Sequence, residues 1–204
     1  MKTHIFLCSI LMLLVSCKDP ATKEKEGLKT TSISSAIENA QEAAATNASQ
    51  DRESEKATYK ALKKKTPLTN DQLFAVLPKH INGNKPVSNY VLQVSSPLAS
   101  GVYGPLGKKS YNFFIQDGVG SSAVVRNFFD SYKIKNQGPP KTEYIYLERD
   151  GYKTIAFLQP EIKRNEIRFV YNNRFRITLE GPDSADVLWS YIDFENLKKL
   201  DQYQ

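Results

Sequence analysis

The sequence predicts an α+β fold: an antiparallel β-sheet with flanking helices, in the order α-β-β-α-β-β-β-β-α, preceded by a flexible or helical stalk. Three observations carry this expectation. Strand-like runs follow one another as hairpins, with turn signals at Asp150-Gly151 and Asn172-Asn173. Apolar residues three and four apart mark helices between and after those runs. Large periodic apolar residues are concentrated beyond Thr66-Pro67. Consecutive hairpins with helices at both ends point away from a doubly wound parallel sheet.

Taken in order, Thr69 is spaced to cap a short helix with Gln72 at its third position, and Leu73, Phe74, Val76 and Leu77 supply a buried face until Pro78 ends it. Tyr90 to Val94 reads as a strand. Gly101, Gly104-Pro105 and Gly107 read as turns before a second strand, Ser110 to Gln116. Asp117-Gly118 breaks that strand, and Ser121-Ser122 opens a helix whose Val124, Val125, Phe128, Phe129 and Tyr132 share one face. Gly138-Pro139-Pro140 prevents its continuation. Two hairpins follow: Thr142–Glu148 with Tyr152–Leu158, then Ile167–Tyr171 with Arg174–Glu180. Asp183 is expected to cap a last helix burying Val187, Leu188, Tyr191 and Ile192, and Asp193 to start a final turn with Leu197 and Leu200.

The N-terminus carries a different kind of signal. Lys2 and His4 precede a run of eleven mostly apolar residues from Ile5 to Val15, well short of the roughly 20 that a spanning helix requires. It ends in Leu14-Val15-Ser16-Cys17, which resembles a bacterial lipobox. The resemblance implies cleavage before Cys17, lipidation of its thiol, and acylation of the new amino group. Residues 1–16 are then a lipoprotein signal peptide. Two or three acyl chains anchor firmly where one binds marginally. Lys18 follows the cysteine in place of the aspartate associated with inner-membrane retention, so the expected address is the cell envelope, at the outer membrane. Cys17-Lys18-Asp19 also resembles the start of a surface-export signal, which Pro20 interrupts; periplasmic leaflet and cell surface both stay open.

Residues 17–66 read as lipid anchor and stalk. Ile33, Ala36, Ile37, Ala40, Ala43 and Ala44 recur at helical spacing, continued weakly by Tyr59 and Leu62, but small side chains bury little. Lys63-Lys64-Lys65 is the one basic run, either a solvated helix end or a contact for anionic head groups. Residues 67–204 read as the globular domain.

Composition narrows the chemistry. The cysteines are Cys8, in the leader, and Cys17; beyond the leader the sole histidine is His80. A zinc site built on His and Cys is therefore not expected, nor a Ser-His-Asp triad, because His80 lies in a Leu-Pro-Lys-His-Ile-Asn-Gly turn without a partnered base. No cofactor is called for. From Pro67 onward 17 Lys and Arg stand against 14 Asp and Glu in mixed order, which argues against a nucleic-acid face.

Several spaced motifs suggest a relationship. Leu77-Pro78 and Gly83, then Ala99-x-Gly101-x-Tyr103, Ile115-x-Asp117, Arg174-Phe175, and Asp193 to Leu197 resemble the pattern of a family of uncharacterised bacterial envelope proteins. That family has a Gly pair where this chain has Asn172-Asn173. The element order is more distantly similar to the PsbP-like fold. These resemblances imply an envelope domain without established catalysis and supply no active site.

If Asn172-Asn173 is a two-residue turn, Tyr171 faces Arg174 and Phe169 faces Arg176, giving one face of alternating rings and guanidinium groups. Phe169, Tyr171, Arg174 and Arg176 are thus the candidate ligand or partner face, suited to an anionic or planar group. A one-residue slip would exchange the faces. The functional expectation is a membrane-anchored envelope lipoprotein, monomeric in its domain, acting as a non-catalytic binding or assembly module for an envelope protein or anionic ligand. The alternatives are a carboxylate hydrolase, with Asp117, Asp130, Glu143 and Glu148 as candidates by type, and a structural bridging lipoprotein.

Overall fold

The computed structural model describes residues 52–107 and 109–203. The leader, Cys17 and most of the expected stalk lie outside the described residues. Helix α1 covers 52–62, α2 Asn70–Phe74, α3 Ala123–Ile134, α4 Ala185–Ser190 and α5 Phe194–Leu197, with a closing 3-10 turn at Lys198–Tyr203. Seven strands, β1 (Pro86–Leu92), β2 (Leu98–Tyr103), β3 (Tyr111–Asp117), β4 (Glu143–Arg149), β5 (Tyr152–Gln159), β6 (Arg164–Tyr171) and β7 (Phe175–Gly181), form one sheet. Their order is β1-β2-β3-β7-β6-β5-β4, with every neighbouring pair antiparallel. The fold is α+β.

The expected turn region contains a strand that the pattern did not disclose. β2 (Leu-Ala-Ser-Gly-Val-Tyr) lacks large alternating side chains because its centre must be small. A Cβ on Gly101 would come within 2.8 Å of the Tyr103 hydroxyl and 2.9 Å of its ring. The Tyr103 hydroxyl, fully buried, instead reaches the Pro78 carbonyl at 2.7 Å. Among the described residues the sheet therefore has seven strands where six were expected.

Local signals elsewhere behave as chemistry requires. Thr69 and Gln72 form a reciprocal capping box on α2. Asp193 accepts from the Asn196 amide to start α5, and Leu197 and Leu200 are buried. Asp150 and Gly151, both at positive φ, join β4 to β5 directly after the Arg149–Tyr152 pair. The cap of α4 is Ser184 rather than Asp183, whose carboxylate accepts from the Tyr111 hydroxyl, and Val187 points to solvent while Leu188 is buried.

Side-chain alternation divides the sheet into two faces. One carries Tyr103, Phe113, Ile115, Ile167, Phe169, Tyr171, Phe175, Ile177 and Leu179, packed with Leu73, Leu188, Leu197 and Leu200 from the helical elements. On the other face Ile155 and Val170 enter a second cluster, with Leu62 of α1 and Val119, Val125 and Phe128 around α3, and the half-buried Tyr144 and Tyr146 of β4 pack against it. Leu62 is 2% exposed, so the packed unit begins upstream of the expected boundary at Pro67. Correspondingly, the sparse Tyr59 and Leu62 periodicity belongs to a helix that docks on α3 and the sheet.

Candidate functional site

The candidate face read from the sequence is corrected by one residue of register. Pairing in the β6–β7 hairpin starts at Tyr171–Phe175, leaving Asn172, Asn173 and Arg174 in the loop. Phe169 therefore lies opposite Ile177, and Val170 opposite Arg176. Phe169 and Tyr171 are buried beneath the helices at 1% and 5% exposure, which removes them as a ligand face. Phe169 packs edge-on to Trp189, and the Tyr171 hydroxyl reaches Asp201 at 2.8 Å.

Arg174 is likewise internal. Its Nε and Nη2 donate to the two carboxylate oxygens of Asp117, each at 2.8 Å, and both residues are essentially solvent-free. Arg174 also donates to the carbonyls of Thr66 and Tyr203, while Asp117 accepts from the amides of Leu68 and Val119. The pair thus fastens the entry into the domain, the end of β3, the β6–β7 loop and the C-terminal turn. Gly118 belongs to this junction: a Cβ there would lie 2.7 Å from the Arg174 carbonyl and from Val125. Asp117 is consequently a structural carboxylate. Asp130, Glu143 and Glu148 are exposed on α3 and at the two ends of β4, and His80 is exposed in its turn. Among the described residues no three His, Cys, Asp or Glu gather as a metal site.

Arg176 has the opposite fate. Its parity places it on the incompletely covered face, with Arg168, Glu166, Thr178 and Glu180 from the two central strands. Cross-strand pairing extends this surface through Gln116 and Phe114 of β3 to Leu98 of β2. Leu98, Phe114, Gln116, Glu166, Arg168, Arg176, Thr178 and Glu180 line a concavity of about 250 Å³. The sequence pattern does not single out Arg168 and Glu166, because a two-residue turn at Asn172-Asn173 places Arg168 on the opposite side from Arg176.

The charges in this concavity are unequally satisfied. Glu180 accepts from Arg164 Nη2 at 2.9 Å and Asn112 Nδ2 at 3.2 Å. Glu166 Oε1 lies 2.6 Å from Arg168 Nε in ionic contact, yet that Nε is a buried donor with no well-directed hydrogen bond. Arg176 donates to Gln116 Oε1 at 2.5 Å and has no carboxylate in ion-pair contact among the described residues. One carboxylate, Glu166, therefore stands beside two guanidinium groups. Burial raises the Glu166 pKa above its ordinary value, opposed by Arg168 and helped by Glu180. Burial and then Arg168 lower that of Arg176, opposed by Glu166. Such a site has spare, partly desolvated donors and suits an oxyanion.

Compared with known proteins, the chain matches no protein-family model, no curated protein and no solved structure. No helix among the described residues is long and apolar enough to cross a membrane.

Proposed function

We propose that this chain is a lipid-anchored envelope protein whose domain is a non-catalytic binding module, using the open sheet face around Arg168 and Arg176. The lipobox-like Cys17 supplies the anchor, at the outer membrane. The relationship to uncharacterised envelope proteins suggested by the spaced motifs agrees with this placement. The observation that carries the binding reading is Arg176: a half-buried guanidinium in a concavity, beside a second arginine and, among the described residues, without a carboxylate in ion-pair contact. A purely structural arginine at such a position would be expected to resemble Arg174, whose charge is matched on both nitrogens.

The test has two arms. Radiolabelled fatty acid should enter the chain through Cys17 and be lost in Cys17→Ser. A photo-crosslinking amino acid at Phe114 should trap an envelope component in native membranes, and Arg176→Gln should abolish that adduct while leaving the thermal midpoint unchanged. An adduct that persists at full yield in Arg176→Gln would remove the face from consideration.

A further inference from the structure

We infer that the open sheet face holds an amphiphilic oxyanion, with its carboxylate or phosphate head on Arg176 and Arg168 and its apolar tail lying across β3, β2 and β1. The inference rests on the binding reading above and names the ligand class for that face.

The head site follows from spare donors. Arg176 spends one hydrogen bond on a neutral amide oxygen, while the buried Arg168 Nε faces Glu166 Oε1 at 2.6 Å. An oxyanion in the concavity would satisfy Arg176 and lie in the field of the neighbouring Arg168 guanidinium, and the planar fork favours carboxylate or phosphate. Glu180 is drawn toward Arg164 and Asn112, both of which donate to its Oε2. Glu166 is the internal rival for Arg168.

The tail follows from what the register places beside that head. From Arg176 the cross-strand row runs to Gln116, then Leu98, then Leu92. The adjacent row runs from Thr178 to Phe114, Ser100 and Tyr90. Side chains thus change from guanidinium to amide to apolar in one direction across the sheet. Leu92 is 47% and Tyr90 42% exposed, an apolar strip continuous with the concavity that Leu98 and Phe114 line. Three strand spacings separate β7 from β1, roughly 14 Å. A hydrophilic anion would leave this strip wet, and an uncharged apolar ligand would leave the guanidinium groups unmatched; an amphiphile serves both.

The experiment uses envelope membranes from cells expressing the full chain. They are exposed to alkyl probes bearing a terminal diazirine and a carboxylate, phosphate or trimethylammonium head, and labelled peptides are mapped after photolysis. The expected result is labelling between Pro86 and Gln116 by one or both anionic probes, with the cationic probe lower by about tenfold or more. Labelling by the carboxylate probe alone points to a free fatty acid, and by the phosphate probe alone to a phospholipid. Arg176→Gln should reduce labelling by about tenfold, and Leu92→Ser, a change at an exposed position, should reduce it with the head site intact. Equal labelling by the cationic probe, label elsewhere on the chain, or indifference to both substitutions overturns the inference. If no probe labels while the Phe114 adduct still depends on Arg176, the amphiphile is wrong and the binding face stands. If that adduct is absent as well, the binding reading fails with it.

Discussion

Replacing Arg174 by Met tests the internal ion pair on which the corrected register depends. The substitution keeps much of the aliphatic stem but removes two 2.8 Å hydrogen bonds to Asp117 and those to Thr66 and Tyr203. It leaves the carboxylate buried with only the Leu68 and Val119 amides as donors. Removing one member of a fully buried pair costs about 3–5 kcal/mol. For a domain of this size that lowers the thermal midpoint by roughly 6–20 °C. Asp117→Asn should cost a similar amount by stranding the guanidinium. The double variant leaves no unpaired charge from this pair, so it should be more stable than the sum of the two losses by about 1–3 kcal/mol. Urea unfolding of parent, single and double variants measures all three. A cost for Arg174→Met within about 0.5 kcal/mol of zero, as at an ordinary surface site, would refute the reasoning.

Other consequences follow from the same geometry. Arg176→Gln should leave unfolding within about 0.5 kcal/mol of the parent, in contrast to Arg174→Met, because among the described residues its side chain has no ion pair to lose. Leu62→Ala should destabilise the domain by about 2–5 kcal/mol in urea unfolding, whereas a residue in a free stalk would have no such effect. Glu166 has a pKa raised by burial above its ordinary 4.5, so its protonated form is favoured by folding. Its contribution to stability is therefore complete below pH 4.5 and is lost as the pH rises through the higher folded value. Glu166→Gln should accordingly gain stability relative to the parent as pH increases across that window, which urea midpoints measured from acid to neutral pH will show.

The features legible in the sequence were those set locally. Asp150-Gly151 defines its hairpin because two residues at positive φ close a two-residue turn without help from the rest of the chain. Asn172-Asn173 carries the same local signal and both residues adopt positive φ, but Arg174 is held in the loop by Asp117, 57 positions away. That long-range pair moves strand pairing to Phe175 and exchanges which arginines reach the open face. β2 was hidden for a related reason, since Gly101 is small to admit the Tyr103 ring rather than to make a turn. Polar neighbours place Leu62 with the stalk; its burial is supplied by α3 and Val170, which local periodicity does not reveal. Of the four residues Phe169, Tyr171, Arg174 and Arg176, only Arg176 lies on the open face.

The central claim is that Arg168 and Arg176 present an occupied binding face while Arg174 is structural. Arginine footprinting with phenylglyoxal, compared between the purified full chain and intact envelope membranes, tests it most directly. The account predicts that Arg168 and Arg176 react in the purified protein and are protected in the envelope, with Arg174 unreactive in both. Equal reactivity of Arg176 in the two preparations, or modification of Arg174 as fast as Arg176, would contradict it.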